Sequence, residues 1–373
     1  MQLNTSILKT DEKVAYALRS LYHRYGYSHY KMRKFEEYEL YARNKDFLIS
    51  DAIISFTDTN GKLLALKPDV TLSIINNSLD MAGRVQKLYY DENVYRLSKG
   101  SRSYNEIKQT GLECIGDVAL PEVCEVVILA LRSLEEISPN YIFEISHIGL
   151  METVLSGLEL PSCLEHKVLG LINRKNTDGL NVLFSEKDVP DHVRNTLSVF
   201  TKNFQSFDDA ISSFRDICSG TVAHKELEEF SAILDVIKEL GYEKHTKINF
   251  SLTNDMNYYS GVAFRGYIQG IPTGVLSGGQ YDKLMRKMNK SSKAIGFAVY
   301  LDALKRLNPP KSGYDADILL LHNGKVAEAL KEAHILSAGG KVVRICAEIP
   351  KELTYDQVMI LTEKGVTEFN GND

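Results

Sequence analysis

Strand-forming text breaks off after YIFEISHIG (141–149) and resumes with KINFSL (247–252), while the segment from about His166 to Gly241 reads as helix. A sheet interrupted in this way must be assembled from two stretches of chain distant in sequence, with a helical insertion between them. Within the insertion, Val193, Leu197, Phe200 and Phe204 mark one apolar stripe, and Leu227, Phe230, Ile233, Leu234, Ile237 and Leu240 mark another.

The first half opens on a helix. From Asp11 to Tyr25 the apolar positions Val14, Ala17, Leu18, Leu21 and Tyr22 recur at helical spacing, with Thr10 as N-cap and Gly26 as the stop. Between Ile53 and Gly116 come short β-rich runs, KLLAL, QKLYY, NVYRL and GLECIG, separated by Asn, Gly and Ser, which predict one antiparallel sheet. VCEVVILALRSLEEI (123–137) predicts a buried helix, and His147 a capping or turn residue. The second half continues with GVAFRGYIQG and AIGFAVYL. NPPKSG (308–313) then reads as a linker, and DADILLLHN, AEALKEAHILSAGG, KVVRICAE and YDQVMILTEKG predict a small βαβα unit. The expected architecture is α+β, with a main domain over 1–310 and a small α/β domain over 313–373.

Composition weighs against several classes of function. Lys plus Arg total 44 against 49 for Asp plus Glu, a net charge of −5, so no general attraction draws the chain to nucleic acid. The basic run Lys283, Arg286, Lys287, Lys290 and Lys293 reads as a solvated face. Five widely spaced cysteines include no C-x-x-C pair to suggest zinc or redox work, which predicts reduced thiols; no metal and no cofactor are expected. The N-terminus lacks the features of a signal peptide and no apolar run approaches the length of a membrane span, so a cytoplasmic protein is expected.

Four segments carry the chemistry: LKPDVT (66–71), YRLSKGSRSYNEIKQTGLECIG (95–116), NDMNYYSGVAF (254–264), and SGGQYDKLM (277–285) followed by AIGFAVYLDALKRL (294–307). Taken singly, Glu113 reads as a strand-edge charge, Gln109 as a surface amide, Tyr258 and Tyr259 as core aromatics, Arg96 as half of an ion pair, and Gly278-Gly279 as a tight turn. In this order and spacing, over roughly residues 10 to 307, they resemble class II histidyl-tRNA synthetase.

The resemblance implies a class II synthetase-like antiparallel sheet flanked by helices, a homodimer through the first helix and strand, and a histidine site. Asp69, Thr71 and Gln109 match the groups that hold the α-amino function, and three polar partners suit an ammonium with three donors. Arg96 matches the motif 2 arginine, which meets the carboxylate and the α-phosphate. Glu113 matches the acid that grips the imidazole, and Tyr259 and Tyr281 the tyrosines that close the pocket, with Tyr258 beside them. An acid facing an imidazole N–H makes a charge-assisted hydrogen bond and rejects apolar isosteres. Gly278 and Gly279 then read as backbone cleared for the bound molecule.

The departures fall on the ATP side. Ser98 replaces a motif 2 acid, Ile107 the aromatic that stacks on adenine, Asn254 an arginine, Ala303 the motif 3 arginine that clamps phosphate, and Tyr300 a glycine. Motif 1 lacks its proline, with Arg33 in its place. Removing one fixed group that stabilises developing charge typically costs about 2.7 to 4 kcal/mol, so this pattern predicts no catalytic residues and a pocket that keeps its ligand while losing its reaction. Among known families it resembles the regulatory subunits of ATP phosphoribosyltransferase, synthetase-like partners of a short catalytic subunit in the first step of histidine biosynthesis, under histidine feedback. The alternatives are a divergent histidyl-tRNA synthetase and a synthetase-like amino acid sensor or ligase.

Overall fold

The computed structural model describes residues 8–48, 53–78, 83–97, 103–252, 258–307, 314–363 and 365–369. The chain divides into two compact units, Met1–Leu307 and Asn308–Asp373.

The first unit is built on an eight-stranded sheet. Its strands lie in the order Ser28–His29, Val85–Leu97, Tyr104–Gly116, Lys293–Tyr300, Leu276–Gln280, Val262–Ile268, Tyr141–His147 and Thr246–Ile248. The two outermost pairings are parallel and the five between them antiparallel. QKLYY and NVYRL, read as separate runs, are one strand of 13 residues paired along its whole length with Tyr104–Gly116. KLLAL falls elsewhere: Leu63–Leu66 belongs to a separate three-stranded sheet with Phe35–Glu37 and Ser55–Thr57. Turn-rich separators look alike whether the next strand joins the same sheet or another, so local text cannot sort them.

Because side chains alternate along a strand, the register divides the large sheet into two faces. Leu112, Cys114, Leu276, Phe264, Phe297 and Val299 turn to one, where they are buried with the helices Thr10–Arg24 and Leu120–Ile137 in the main core. Gly111, Gln109 and Glu113 turn to the other, with Gly296, Ala298 and Tyr300, then Ser277, then Arg265 and Tyr267. This second face carries glycine, alanine and serine at its centre and long polar or aromatic residues around them, which leaves a hollow over the middle strands.

The Thr10–Arg24 helix starts one turn-position earlier than expected. Thr10 is its first residue, and the backbone N–H of Lys9 donates to Glu12 Oε2 at 2.8 Å. Tyr25 caps its end and Gly26 follows with φ of +81°, a conformation glycine adopts without strain. Nδ1 of His147 accepts from the Leu150 N–H at 2.9 Å and so caps the Ile148–Gly157 helix, which follows its strand directly.

The insertion consists of the helices Ser162–Asn173, Thr177–Glu186, Asp191–Val199, Phe207–Cys218 and His224–Glu239. Phe200, Phe214 and Phe230 pack around Phe250, which lies just past the Thr246–Ile248 strand, so the insertion shares the main core. Leu240 is not part of the stripe: it caps the last helix and is exposed.

In the second unit the strands run Val343–Cys346, Ala316–Leu321, Tyr355–Thr362, Gly365–Glu368, with the helix Val326–Ala338. The segment YDQVMILTEKG, expected as a closing helix, instead forms the last two strands. Its short apolar run Val358–Leu361 fits either element by periodicity, and pairing with Ala316–Leu321 decides for strand. NPPKSG lies outside the described residues.

Candidate functional site

The hollow on the polar face is a cavity of about 530 Å³. Eight of the ten candidate residues line it: Asp69, Thr71, Arg96, Gln109, Glu113, Tyr258, Tyr259 and Tyr281.

Glu113 lies at its floor, 1% exposed. Thr71 Oγ1 donates to its Oε1 at 2.8 Å and the Tyr281 hydroxyl to its Oε2 at 2.6 Å. Burial pushes the carboxyl up to about 8, against the lowering effect of those two hydrogen bonds, and nearby Asp69 adds to the rise. The carboxyl group lies over Gly296: a Cβ there would stand 1.7 Å from Glu113 Oε2, so only glycine admits the acid. A buried acid held by two hydroxyl groups suits a ligand N–H or a cationic ring.

Asp69 stands at the entry to the Thr71–Asn77 helix, where Oδ1 accepts the Leu72 N–H at 2.9 Å. Desolvation raises its carboxyl, opposed by Arg96 and by the backbone N–H groups of Leu72 and Thr71. Arg96 Nε donates to the Pro68 carbonyl at 2.7 Å, and its Nη2 lies 3.5 Å from Asp69 Oδ2. Gln109 is 2% exposed, and its Nε2 is buried without a hydrogen-bond partner. Tyr258 stands edge-on to Tyr259 at 4.9 Å and 6.1 Å from Tyr281, so three aromatic rings form one wall.

Gly278 and Gly279 do not line the cavity, and the reading of them as backbone cleared for a ligand is corrected. Gly278 belongs to the core face, where a Cβ would stand 2.4 Å from Phe297 Cβ and 2.6 Å from Phe264 Cε2. At Gly279 the space is taken by Tyr259, whose Cδ1 would lie 2.7 Å from a Cβ, and by the Val262 carbonyl at 2.6 Å. The glycines admit neighbouring protein atoms. The glycine that clears space for the site is Gly296, whose signal was an isolated glycine inside the apolar run AIGFAVYL.

Sequence reasoning also missed Tyr90, Arg265, Tyr267 and Ser277, and took Tyr300 only as a departure; all five line the cavity. Arg265 had a signal, a charge inside the strand text GVAFRGYIQG. Ala303 and Ile107 are half-buried, packed against the two apolar cores, and neither is among the lining residues. Ser98 and Asn254 lie outside the described residues. In the basic run, Lys283 pairs with Glu152, Lys287 with Asp46 at 2.9 Å, and Lys290 donates to the Ser78 carbonyl at 2.7 Å. Among the described residues no cluster of His, Cys, Asp or Glu is placed to hold a metal ion, and no helix is long and apolar enough to cross a membrane.

The family model described as histidyl-tRNA synthetase matches residues 3–304. An ATP phosphoribosyltransferase regulatory subunit of Clostridium kluyveri is 27% identical over 349 residues, covering 90% of this chain and 89% of that one. Among solved structures, an ATP phosphoribosyltransferase regulatory subunit/histidyl-tRNA synthetase from Bacillus halodurans C is similar with a TM-score of 0.74 at 23% identity, over 94% of this chain and 93% of that one. An ATP phosphoribosyl transferase (HisG:HisZ) complex from Thermotoga maritima is similar at a TM-score of 0.62 and 21% identity, over 79% of this chain and 98% of that one.

Proposed function

The chain belongs to the histidyl-tRNA synthetase family, and from that premise we propose that it is the regulatory subunit of an ATP phosphoribosyltransferase, partner to a short catalytic subunit in the first step of histidine biosynthesis. The observation that carries this reading is the match to a relative of that name along about nine-tenths of both chains. The complex from Thermotoga maritima supports a catalytic partner, since it is described as an assembly of two kinds of subunit.

Within this reading the cavity binds histidine. Glu113 accepts from the imidazole, Asp69 and Thr71 face the amino group, and Tyr258, Tyr259 and Tyr281 enclose the ring. The subunit is non-catalytic: phosphoryl chemistry needs fixed cations at the reacting phosphate, and the position matching the phosphate-clamping arginine is Ala303. Bound histidine controls the catalytic subunit to the extent that it binds the inactive and active assemblies with different affinity.

The test is to add the purified chain to a short ATP phosphoribosyltransferase subunit and follow condensation of ATP with phosphoribosyl pyrophosphate. Activity rises on addition and falls when histidine is added; an unchanged rate refutes the proposal. The family model's own description favours a second reading, an active histidyl-tRNA synthetase. Histidine-dependent exchange of pyrophosphate into ATP, within about a hundredfold of an authentic synthetase, would establish that reading instead.

A further inference from the structure

We infer that Glu229 and Gln280 are positioning residues that join the helical insertion to the tyrosine wall of the cavity, so that the insertion and the ligand site are energetically coupled. The inference rests on the cavity being a histidine site.

Gln280 supplies the first observation. It ends the Leu276–Gln280 strand beside Tyr281, is 9% exposed, and is not among the residues lining the cavity. Its hydrogen bonds go to the segment that carries the wall. Oε1 accepts the Val262 N–H at 2.7 Å, and the backbone carbonyl accepts the Ser260 N–H at 2.8 Å. Between these bonds lies Gly261, where a Cβ would stand 2.0 Å from Oε1, so a larger residue would push the amide out. The Gly261 carbonyl in turn accepts the Ile148 N–H at 2.7 Å. Residues 260–262 are therefore pinned from two sides, and Tyr258 and Tyr259 directly precede them.

Glu229 supplies the second. It stands on the insertion helix His224–Glu239, with its side chain 33% exposed. The His147 ring holds its carboxyl below the usual range against the effect of burial, and the Gln280 amide and Lys293 add to the lowering. His147 is 2% exposed, and its Nδ1 accepts from Leu150, which leaves the ring proton to Nε2. Nε2 lies 3.9 Å from Glu229 Oε1, too far for a hydrogen bond, and is buried without a partner. A buried donor facing an acceptor about 1 Å beyond reach marks a contact that a small shift of the insertion helix makes or breaks.

The two routes converge. His147 caps the helix whose first N–H holds the Gly261 carbonyl, and Gln280 accepts the N–H groups on either side of Gly261. Whatever moves Glu229 acts on the same three residues by both routes. Contacts that only stabilise the fold would lower stability without changing the affinity of the folded fraction, which gives the experiment its control.

Calorimetric titration of the full chain with histidine is compared for wild type, Glu229→Ala, Gln280→Ala and the double variant, with amide hydrogen exchange on each. Glu229→Ala removes no lining residue, yet it lowers affinity about fivefold, the lower end of coupling between sites; Glu229→Asp recovers part of the loss. In the Gln280→Ala background the further loss from Glu229→Ala shrinks to about twofold, because residues on one route are not additive. The amides of residues 260–262 exchange faster in Glu229→Ala, while those of the Leu120–Ile137 helix stay protected as in wild type. The inference is overturned if Glu229→Ala binds histidine within error of wild type, if the two losses multiply in full, or if exchange rises equally throughout the chain. Should Gln280→Ala fail to fold, Gln280→Glu takes its place: it keeps the acceptor for Val262 and sets a second carboxylate beside Glu229. Its loss of affinity is then recovered by Glu229→Gln, and the absence of that recovery overturns the inference equally. A wild type that binds no histidine removes the histidine reading and this inference with it. Binding that Glu113→Ala abolishes and Glu229→Ala leaves intact removes this inference alone.

Discussion

The Tyr281 hydroxyl donates to Oε2 of Glu113 at 2.6 Å, joining two residues 168 apart in sequence. Tyr281 follows the Leu276–Gln280 strand, while Glu113 lies two strands away on Tyr104–Gly116, with Gly296 between them. The bond therefore links both halves of the interrupted sheet at the cavity floor. Tyr281→Phe removes the donor and leaves a buried carboxyl oxygen short of a partner, which costs about 1 to 3 kcal/mol. The urea midpoint falls with the m-value unchanged, and a midpoint within error of wild type counts against the bond.

Glu113 also sets a pH dependence. Its carboxyl is raised to about 8 in the folded chain, largely by burial, while in the unfolded chain it titrates near 4.3, roughly as in model peptides. The folded state therefore keeps a proton that the unfolded state has released. This contribution to stability is complete below the unfolded value, declines as pH rises, and is gone above about 8. Glu113→Gln keeps a neutral group of similar shape, so its melting temperature falls less than that of wild type between pH 5 and pH 8, roughly the window those two pKa values define. Asp69, also raised, leaves a residual slope of the same sign. Parallel curves for the two proteins would mean that Glu113 is ionised in the empty site.

How far the site was legible in the sequence follows from what each residue type does alone. Glu113, Asp69, Thr71 and Arg96 are polar residues whose pattern is read along the chain, and the fold brings them together. Arg265 and Gly296 were not read, because a charge or a glycine inside a strand acquires meaning only through register, and register is set by partners far away in sequence. For the same reason KLLAL was placed in the wrong sheet and Gly278 on the wrong face. The helical insertion was legible throughout, since its periodicity is local, apart from Leu240 at the helix end, where the stripe continues in sequence but the helix does not.

The corrected roles of the glycines are separable. Gly296→Ala forces a methyl against the Glu113 carboxyl and the Leu112 carbonyl, the latter 2.5 Å from the new Cβ. Gly278→Ala forces one against Phe297 and Phe264 in the core. Overpacking of this kind typically costs about 1 to 3 kcal/mol in either case. Histidine affinity of the folded fraction falls at least about tenfold for Gly296→Ala, where the acceptor itself is displaced, a change worth about 1.4 kcal/mol. For Gly278→Ala it stays close to wild type. Equal losses of affinity in calorimetry would restore Gly278 to the binding site.

The homodimer expected from the family resemblance has a candidate surface in the small sheet. Phe35 and Phe56 pack edge to face at 5.1 Å, yet are 47% and 38% exposed. In the register they share a face with Leu64 and Leu66, both half-buried, which makes an apolar patch on a sheet of only three strands. Exposed patches of this kind mark association sites. We propose that two copies meet through this sheet. Phe35→Asp with Phe56→Asp places two like charges in the patch, so the double variant is a monomer by light scattering at micromolar concentration where wild type is a dimer. Both residues lie outside the cavity on the polar face of the large sheet, so the variant keeps the histidine response of wild type in calorimetry. A wild type that scatters as a monomer removes the proposal, and a double variant that remains dimeric moves the interface away from this sheet.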